Sequence, residues 1–560
     1  MTATNPKSKT KDLQEKLTQL RKQAEEKRAK QIAAQLNLPY LDLKVTPIET
    51  AALDLVEEEK AKKAKLAVIK KKGKQLWLAS QDPSNVLFKE ILEELKKAGY
   101  QINLLVATES GLKKAWAGYQ ELAKPPAKKI TGQVEIAGES LEKLRKEIKN
   151  LDDIKKQIKG IPAGQASTIV EILLAGSLQT NASDLHLETE AEKINLRYRI
   201  DGLLQDVVFL SAKTYHFVLN RLKLLAGMKL NVHDKAQDGR FTISVDKTDM
   251  EIRVSCIPSA YGENIVMRIL NPKAIALGLE DLGLRPDFLE VIQKEIQRPN
   301  GMLITTGPTS SGKTTLLYAL LKKVNQPEVK IITLEDPVEY HLEGITQTQV
   351  ETEKGYTFAK GLRAILRQDP DVILIGEIRD KETAEIAVQS ALTGHLVFST
   401  LHTNDAAGAI PRFFDIGVKA SNLASALNLI MAQRLVRKVC QKCRQAVSPS
   451  EKQLSQIKKA LTGLLQQVKQ PSLNKDLKIY QAKGCPQCNQ TGYQGRIGIF
   501  EMILINEEME KLISASATHL QILEKAREQG LVSFYQDALL KVLEGITTLE
   551  EVKRVVGSQE

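Results

Sequence analysis

Residues 307–314, Gly-Pro-Thr-Ser-Ser-Gly-Lys-Thr, constrain what this chain can fold into more than any other stretch. They satisfy the pattern GxxxxGK[ST], with the apolar run Met302-Leu303-Ile304 before it and the helix-forming Leu316-Leu317-Tyr318-Ala319-Leu320 after it. Strand, glycine-rich turn and helix in that order predict a loop whose backbone N–H groups wrap phosphate oxygens while the helix N-terminus adds its dipole. The expected nucleotide-binding residues are Gly307, Pro308, Thr309, Ser310, Ser311, Gly312, Lys313, Thr314 and Thr315. In such a loop Lys313 reaches the β- and γ-phosphates, and the Thr314 hydroxyl ligates the Mg²⁺ that accompanies ATP. The open question is what the chain does with the energy.

At 560 residues the chain is too long for one core, so three or four domains are expected. Its 42% hydrophobic and 26% charged residues are those of an ordinary globular protein. No apolar run approaches the roughly 18 residues a transmembrane helix needs, and Met1–Lys11 is polar and lysine-rich without the apolar stretch of a secretory signal. A cytoplasmic protein is expected. The net charge of +12 allows an anionic partner. Residues 1–30 carry nine lysines and arginines against four acids, mixed as in a solvated helix or tail.

The pattern divides the chain. A basic extension, 1–30, precedes a small α/β unit over 31–122, with a hairpin at Leu66–Ile69 and Leu76–Ala79, a helix at Val86–Lys97 and a strand at Ile102–Val106. A Lys/Glu-rich, partly helical stretch over 123–160, beginning near Pro125-Pro126, reads as a linker. A second unit, 161–272, opens with a helix (Ser167–Leu178) and continues in strands: Leu185–Leu187, Ile194–Ile200, Phe241–Val245, Met250–Val254 and Ile265–Ile269. From 277 to 560, strands and helices alternate around the phosphate loop, which argues for an α/β sheet with helices on both faces. There is no internal repeat.

Three further segments narrow the chemistry. Ile331–Leu334 is an apolar strand ending in Glu335-Asp336 and stopped by Pro337, so its acids fall at the carboxyl end where open α/β sheets bind ligands. Val372–Ile375 has the apolar run of a strand buried on both faces, followed by Gly376-Glu377. Glu377 there is the favoured general base for attack on the γ-phosphate, with Glu335 as its rival. Gly376 occupies the place of the usual aspartate, so metal holding falls to Thr314, the phosphates and bridging waters. His395 and His402 bracket the strand Leu396–Leu401, and either can sense the γ-phosphate or remain structural. Arg363, Arg367 and Arg379 lie near these segments, and Arg253 and Arg268 in the preceding unit; a well-placed arginine accelerates phosphoryl transfer by roughly 10³–10⁵-fold.

Four of the five cysteines form two CxxC pairs, Cys440/Cys443 and Cys485/Cys488. In a cytosolic chain this spacing favours a closed, structural Cys₄ zinc site over disulfides, with a redox pair as the alternative. The segment between the pairs reads as helical over Ser450–Gln467. Cys256, within a strand, reads as a small buried apolar residue.

Taken together, these residues resemble the secretion-superfamily ATPases of the PilB/GspE type, over about residues 161–510. The acidic box is similar to Thr333–Tyr340, the Walker B segment to Arg367–Asp380 and the histidine box to Leu392–Asp405. Ala182–Glu188, Arg197–Gly202, Ala236–Arg240 and Arg253–Ser255 match signatures of the family's middle domain. The resemblance implies a PAS-like α+β middle domain closing on a RecA-like P-loop motor domain that carries the zinc-binding insertion 440–488. It also implies a homohexameric ring, with Arg253, Arg268 and Arg363 reaching the phosphates beside Glu377, Glu335, Lys313 and His402. It further implies an N-terminal domain docked on an inner-membrane platform protein, hence peripheral association with the cytoplasmic membrane. Type IV pilus assembly and type II secretion use the same motifs, and the lysine-rich leader and long zinc insertion lean towards the pilus.

Two departures stand out. Ser310 replaces a glycine usual in the family's loop, and the first unit lacks the RLGxxL-type pattern through which some relatives bind cyclic di-GMP, so that ligand is not expected. Rival readings are a nucleic-acid translocase, disfavoured by the lack of an aromatic-rich basic groove, and a nucleotide-gated scaffold, disfavoured by Glu377 and the arginines.

Overall fold

In the computed structural model of the chain, the described residues are 24–43, 46, 50–117, 119, 138–162, 164–245, 248–272, 276–464, 468, 473, 474 and 476–557. The lysine-rich leader up to residue 23, Pro125-Pro126 and the end of the helix expected over Ser450–Gln467 lie outside them. The chain divides into two compact units, 1–131 and 132–560.

The first unit is a three-stranded sheet of β1 (Leu66–Lys72), β2 (Gln75–Ser80) and β3 (Gln101–Val106), in that order. β1 and β2 form the expected antiparallel hairpin. β3 pairs parallel to β2 because the helix Val86–Lys97 carries the chain back across the sheet. That helix starts where Asn85 caps the Leu87 N–H, and it buries Phe88, Ile91 and Leu95 along one face.

Within the second unit, the middle domain is a six-stranded antiparallel sheet. Its strands are β4 (Ala182–Thr189), β5 (Ile194–Ile200), β6 (Leu203–Leu210), β7 (Gln237–Val245), β8 (Thr248–Ser259) and β9 (Gly262–Leu270), in the order β6-β5-β4-β9-β8-β7. Asp201 and Gly202, both with positive φ (50° and 86°), form the two-residue turn that joins β5 to β6. The helix Ala166–Gln179 is apolar nearly all round and lies in the core with Ala212–Leu225. The expectation of a linker over 123–160 needs correction in its described part, 138–160, whose helices are packed into the domain. Helices Gly138–Glu147 and Leu151–Lys159 place Leu141, Ile148, Ile154 and Ile158 in this same core. A Cβ on Gly176 would fall 2.5 Å from Ile154 Cδ1, so the lack of a side chain there lets the helices meet. Lysine and glutamate on the outer faces hid this apolar stripe in the composition.

The motor domain is a seven-stranded sheet flanked by a small module. Its strands are β10 (Gly301–Thr306), β11 (Ile331–Glu335), β12 (Thr346–Gln349), β13 (Val372–Ile375), β14 (Leu396–Leu401) and β15 (Leu427–Val439). The module contains the short antiparallel pair β16 (Gln445–Val447) and β17 (Ile479–Gln481) with the helix Glu451–Leu461, and β18 (Tyr493–Leu504) completes the sheet. The order is β12-β11-β13-β14-β10-β15-β18, parallel except for the β15–β18 pair. Alternate residues serve two cores: Ile304, Ile373, Ile375 and Val397 face one, while Leu303, Val372, Leu374 and Phe398 face the other. This is why β13 reads as a continuous apolar run. Four C-terminal helices, from Glu507–Ser514 to Leu549–Val556, are capped by Asn506, Thr518, Ser533 and Thr548. No helix among the described residues is long and apolar enough to cross a membrane.

Candidate active site and cysteine cluster

β10 is fully buried and delivers the chain into the loop 307–312, after which the helix Lys313–Val324 begins. Gly307 and Gly312 have φ of 143° and 94°; a Cβ at the first would lie 2.4 Å from the Gln433 carbonyl oxygen and at the second 2.9 Å from Gln433 Nε2. Both positions therefore require glycine. Lys313 Nζ donates to the carbonyls of Gly307 (2.8 Å) and Pro308 (3.0 Å). Burial lowers the Lys313 pKa, and the Glu377 carboxylate offsets part of that shift. Thr314 is exposed in the first turn and lines the cleft, where its hydroxyl fits a metal ligand.

Ser310 sits at φ 64°, in the left-handed region that a glycine would occupy without strain. A Ser310→Gly variant is expected to be more stable by about 1 kcal/mol, because a non-glycine residue there costs roughly 1–2 kcal/mol and glycine's greater unfolded-state freedom offsets part of the gain. Thermal melting alongside nucleotide titration checks this; an unchanged or lower melting temperature would count against it.

The carboxyl ends of β10, β11, β13 and β14 open on a cleft of about 790 Å³. Glu335 and Glu377 both line it, in different settings. Glu335 is 4% exposed and accepts from Tyr318 Oη (2.5 Å), Thr333 Oγ1 (2.5 Å) and Gln347 Nε2 (3.1 Å). Burial, and then the Glu335 carboxylate, hold the Tyr318 phenol protonated far above its ordinary range. Glu377 instead has Arg379 on one oxygen and His402 Nε2 3.3 Å from the other. Gly376 packs between strand ends, where a Cβ would lie 3.3 Å from the Leu334 carbonyl oxygen, so a larger side chain finds little room there.

The middle domain supplies the facing wall. Asp184, 4% exposed, accepts from Arg268 Nε at 2.8 Å and lies 3.5 Å from Arg199 Nε, and all three residues line the cleft. Chiefly through its hydrogen bond with Asp184, Arg268 has a raised pKa. Arg496, at the start of β18, lines the cleft from the motor side. Nothing in the spacing of Arg199 and Arg496 links them to residues 307–314, so the sequence alone does not mark them as site residues. Only the turn at Asp201-Gly202 signals that a strand end lies close to Arg199.

Arg253, Arg363 and His395 fall outside the cleft lining. Arg253 donates to Glu339 Oε2 (3.3 Å) and to the Val338 carbonyl (2.9 Å), bridging the middle domain to the acidic segment. Arg363 pairs with Glu382 at 2.6 Å on a half-exposed surface of the motor. The strand β14 separates the two histidines: His402 faces Glu377, whereas His395 Nδ1 lies 3.0 Å from the Ser390 carbonyl at the opposite end.

The four paired cysteines converge. Their Sγ atoms all lie within 4.8 Å of one another, with Cys440–Cys485 at 4.0 Å, Cys443–Cys488 at 3.8 Å and Cys485–Cys488 at 3.6 Å. Disulfide sulfurs stand about 2.05 Å apart. A tetrahedron of sulfurs about 2.3 Å from a zinc ion has edges of about 3.8 Å. The donor set and spacing therefore fit a metal ion. Cys488 Sγ also accepts from the N–H groups of Cys485 and Gly492, both at 3.2 Å.

The phosphate-loop strand β10, separated from β13 by β14, and the cleft across their carboxyl ends define a P-loop hydrolase of ATP. The family is that of the type II/IV secretion system proteins: its model matches residues 163–554, and the chain belongs to it as a secretion-system ATPase. A second model, the MshEN domain, matches residues 36–125. The chain is 39% identical to type II secretion system protein E of Pseudomonas aeruginosa, over 87% of its own length and 93% of that protein's. It is 36% identical to the type IV pilus assembly ATPase PilB of Myxococcus xanthus, over 93% and 89% respectively. The solved ATPase DotB of Yersinia pseudotuberculosis shares the fold with a TM-score of 0.52 and 22% identity, covering 70% of this chain and 95% of that one.

Proposed function

We propose that the chain is the ATP-hydrolysing motor of type IV pilus assembly, working as a homohexamer on the inner face of the cytoplasmic membrane. The observation that carries this reading is the alignment with the pilus assembly ATPase, which runs over 93% of the chain. The higher identity to the type II secretion protein, 39%, keeps protein secretion as the second reading.

In the proposed reaction the loop amides and Lys313 hold the β- and γ-phosphates, and Glu377 takes the proton of the attacking water. Mg²⁺, held by Thr314, would neutralise phosphate charge. Arg199, Arg268 and Arg496 face the same cleft and are placed to meet the triphosphate. Arg253 and Arg363 are read as residues that engage after closure or on a neighbouring copy. His402 orients Glu377, and Glu335, held by two hydroxyls, acts as a fixed acceptor for the water network. The cysteine cluster is read as a structural zinc site.

Gene deletion separates the two processes. A strain lacking the chain is expected to lose surface pili and keep its exported proteins, with pili restored by the parent and not by Glu377→Gln. Normal pili with failed export would transfer the assignment to secretion. For the purified chain, hydrolysis is expected to rise with the cytoplasmic domain of a pilus platform protein and to be indifferent to single-stranded DNA.

A further inference from the structure

A short run of chain, Asn489 to Arg496, leads from the cysteine cluster to the nucleotide cleft and touches the middle domain twice on the way. Asn489, at φ 50°, accepts the Leu151 N–H on its Oδ1 at 3.1 Å. That donor opens the helix Leu151–Lys159, where Asn150 already serves the Asp153 N–H. The zinc-type turn thus completes the cap of a middle-domain helix. The helix continues the path inward, since Ile154 packs against Gly176 of Ala166–Gln179.

The second contact is closer to the nucleotide. Gly495 donates its N–H to Asp201 Oδ2 at 2.8 Å, a charge-assisted bond to the tip of the β5–β6 hairpin. At that tip Arg199 Nη1 donates to the Gly202 carbonyl at 3.2 Å. Arg199, Gly202 and Arg496 all line the cleft with the phosphate loop. At the other end of the run, Gly492 is tied to the cluster: it donates to Cys488 Sγ, and its carbonyl accepts from the Cys440 N–H at 2.9 Å. A series of bonded contacts therefore runs from the cysteine sulfurs to two arginines of the cleft.

We propose that Asp201 and Asn489 are positioning residues for the ATP site, through which the metal-holding turn clamps the middle domain over the phosphate loop. The clamp rests on the reading of the cleft as the ATP site and of the cluster as a metal site. It assigns the cluster a role beyond holding its own module together: it fixes the distance between Arg199 on the middle domain and Arg496 on the motor. Neither positioning residue touches the nucleotide; each acts through those arginines.

The turn geometry makes the test clean. Glycine adopts φ 50° without strain, so Asp201→Gly keeps the hairpin and deletes the carboxylate, while Asp201→Asn keeps an acceptor oxygen and tolerates the same conformation. With the full chain, Asp201→Gly is expected to bind a fluorescent ATP analogue about tenfold more weakly, the scale of one hydrogen bond to a charged group. The Asn variant should stay near the parent, KM should rise far more than kcat falls, and zinc per chain should not change. Asn489→Gly should shift binding the same way, by about threefold. Parental binding by Asp201→Gly, or equal weakness of the Gly and Asn variants, would overturn the clamp.

Stripping the metal with a chelator should speed amide exchange at Leu151 and Gly495 and leave β10 protected. No change at those two amides, or an equal rise through β10, would count against it. Binding of the analogue that Lys313→Ala leaves untouched would instead overturn the assignment of the cleft, and the clamp with it.

Discussion

Glutamine in place of Glu377 is expected to leave ATP bound and to lower turnover by about 10²–10⁴-fold, the usual contribution of a positioned general base. The substitution preserves the side chain's shape and removes only its ability to accept a proton. Glu377 suits that role by its surroundings: its side chain is 13% exposed, with Arg379 and His402 on its two oxygens. Glu335, by contrast, already accepts from Tyr318, Thr333 and Gln347. Those three bonds fill most of its acceptor capacity and hold it in place, which suits an acceptor for water better than a base that must take up a proton. Steady-state phosphate release and titration with a fluorescent analogue separate the two effects. Near-parental hydrolysis by Glu377→Gln would move the base to Glu335.

The second large effect is expected at the cysteine cluster. Cys488→Ser should lower the zinc-to-chain ratio from one towards zero and destabilise the module by several kcal/mol, a fraction of the ~10–16 kcal/mol that structural zinc contributes in small domains. Cys488 is 4% exposed, so serine would leave a hydroxyl at a buried site shaped for sulfur. Two N–H groups that now point at Cys488 Sγ would lose their sulfur acceptor. The damage should not stop at the cluster. β15 ends at Val439 beside Cys440, and β18 starts at Tyr493, its register partner, so the two turns staple one end of that antiparallel pair. Metal analysis and a melting curve measure the outcome. Parental zinc content and stability would show that Cys488 is not a ligand.

Much of the motor was legible because its signals are local. The phosphate loop needs glycine at two positions, the buried strand β13 has no polar face, and the CxxC pairs advertise a donor set. The middle domain's strands were legible too, through alternation, although β6 and the helix Ala212–Leu225 were not picked out. What stayed hidden was long-range. Arg199 and Arg496 meet only because a hairpin tip packs against the start of β18. The stretch 138–159 reads as linker because lysine and glutamate dominate its composition and mask an apolar stripe at helical spacing; room for one member of that stripe, Ile154, is made by Gly176 on a different helix. Arg363 shows the converse. It lies near the acidic strands in sequence, yet its helix turns it towards Glu382 and away from the cleft.

The two borders of the motor sheet bear on how such a protein behaves when many copies crowd one place. β12 is a border of four polar residues, Thr-Gln-Thr-Gln, too short to template a foreign strand. The border at β18 is long, but it is guarded: Asp537 on the helix Phe534–Leu543 takes the Phe500 N–H at 2.8 Å, and Glu501 takes the Phe534 N–H in return. Unwanted fibre-like stacking is blocked on one side by brevity and on the other by a carboxylate plug. Removing that plug, as in Asp537→Asn, would also leave Lys541 without its buried carboxylate, so clumping at high concentration, read by light scattering, is expected together with a lower melting temperature.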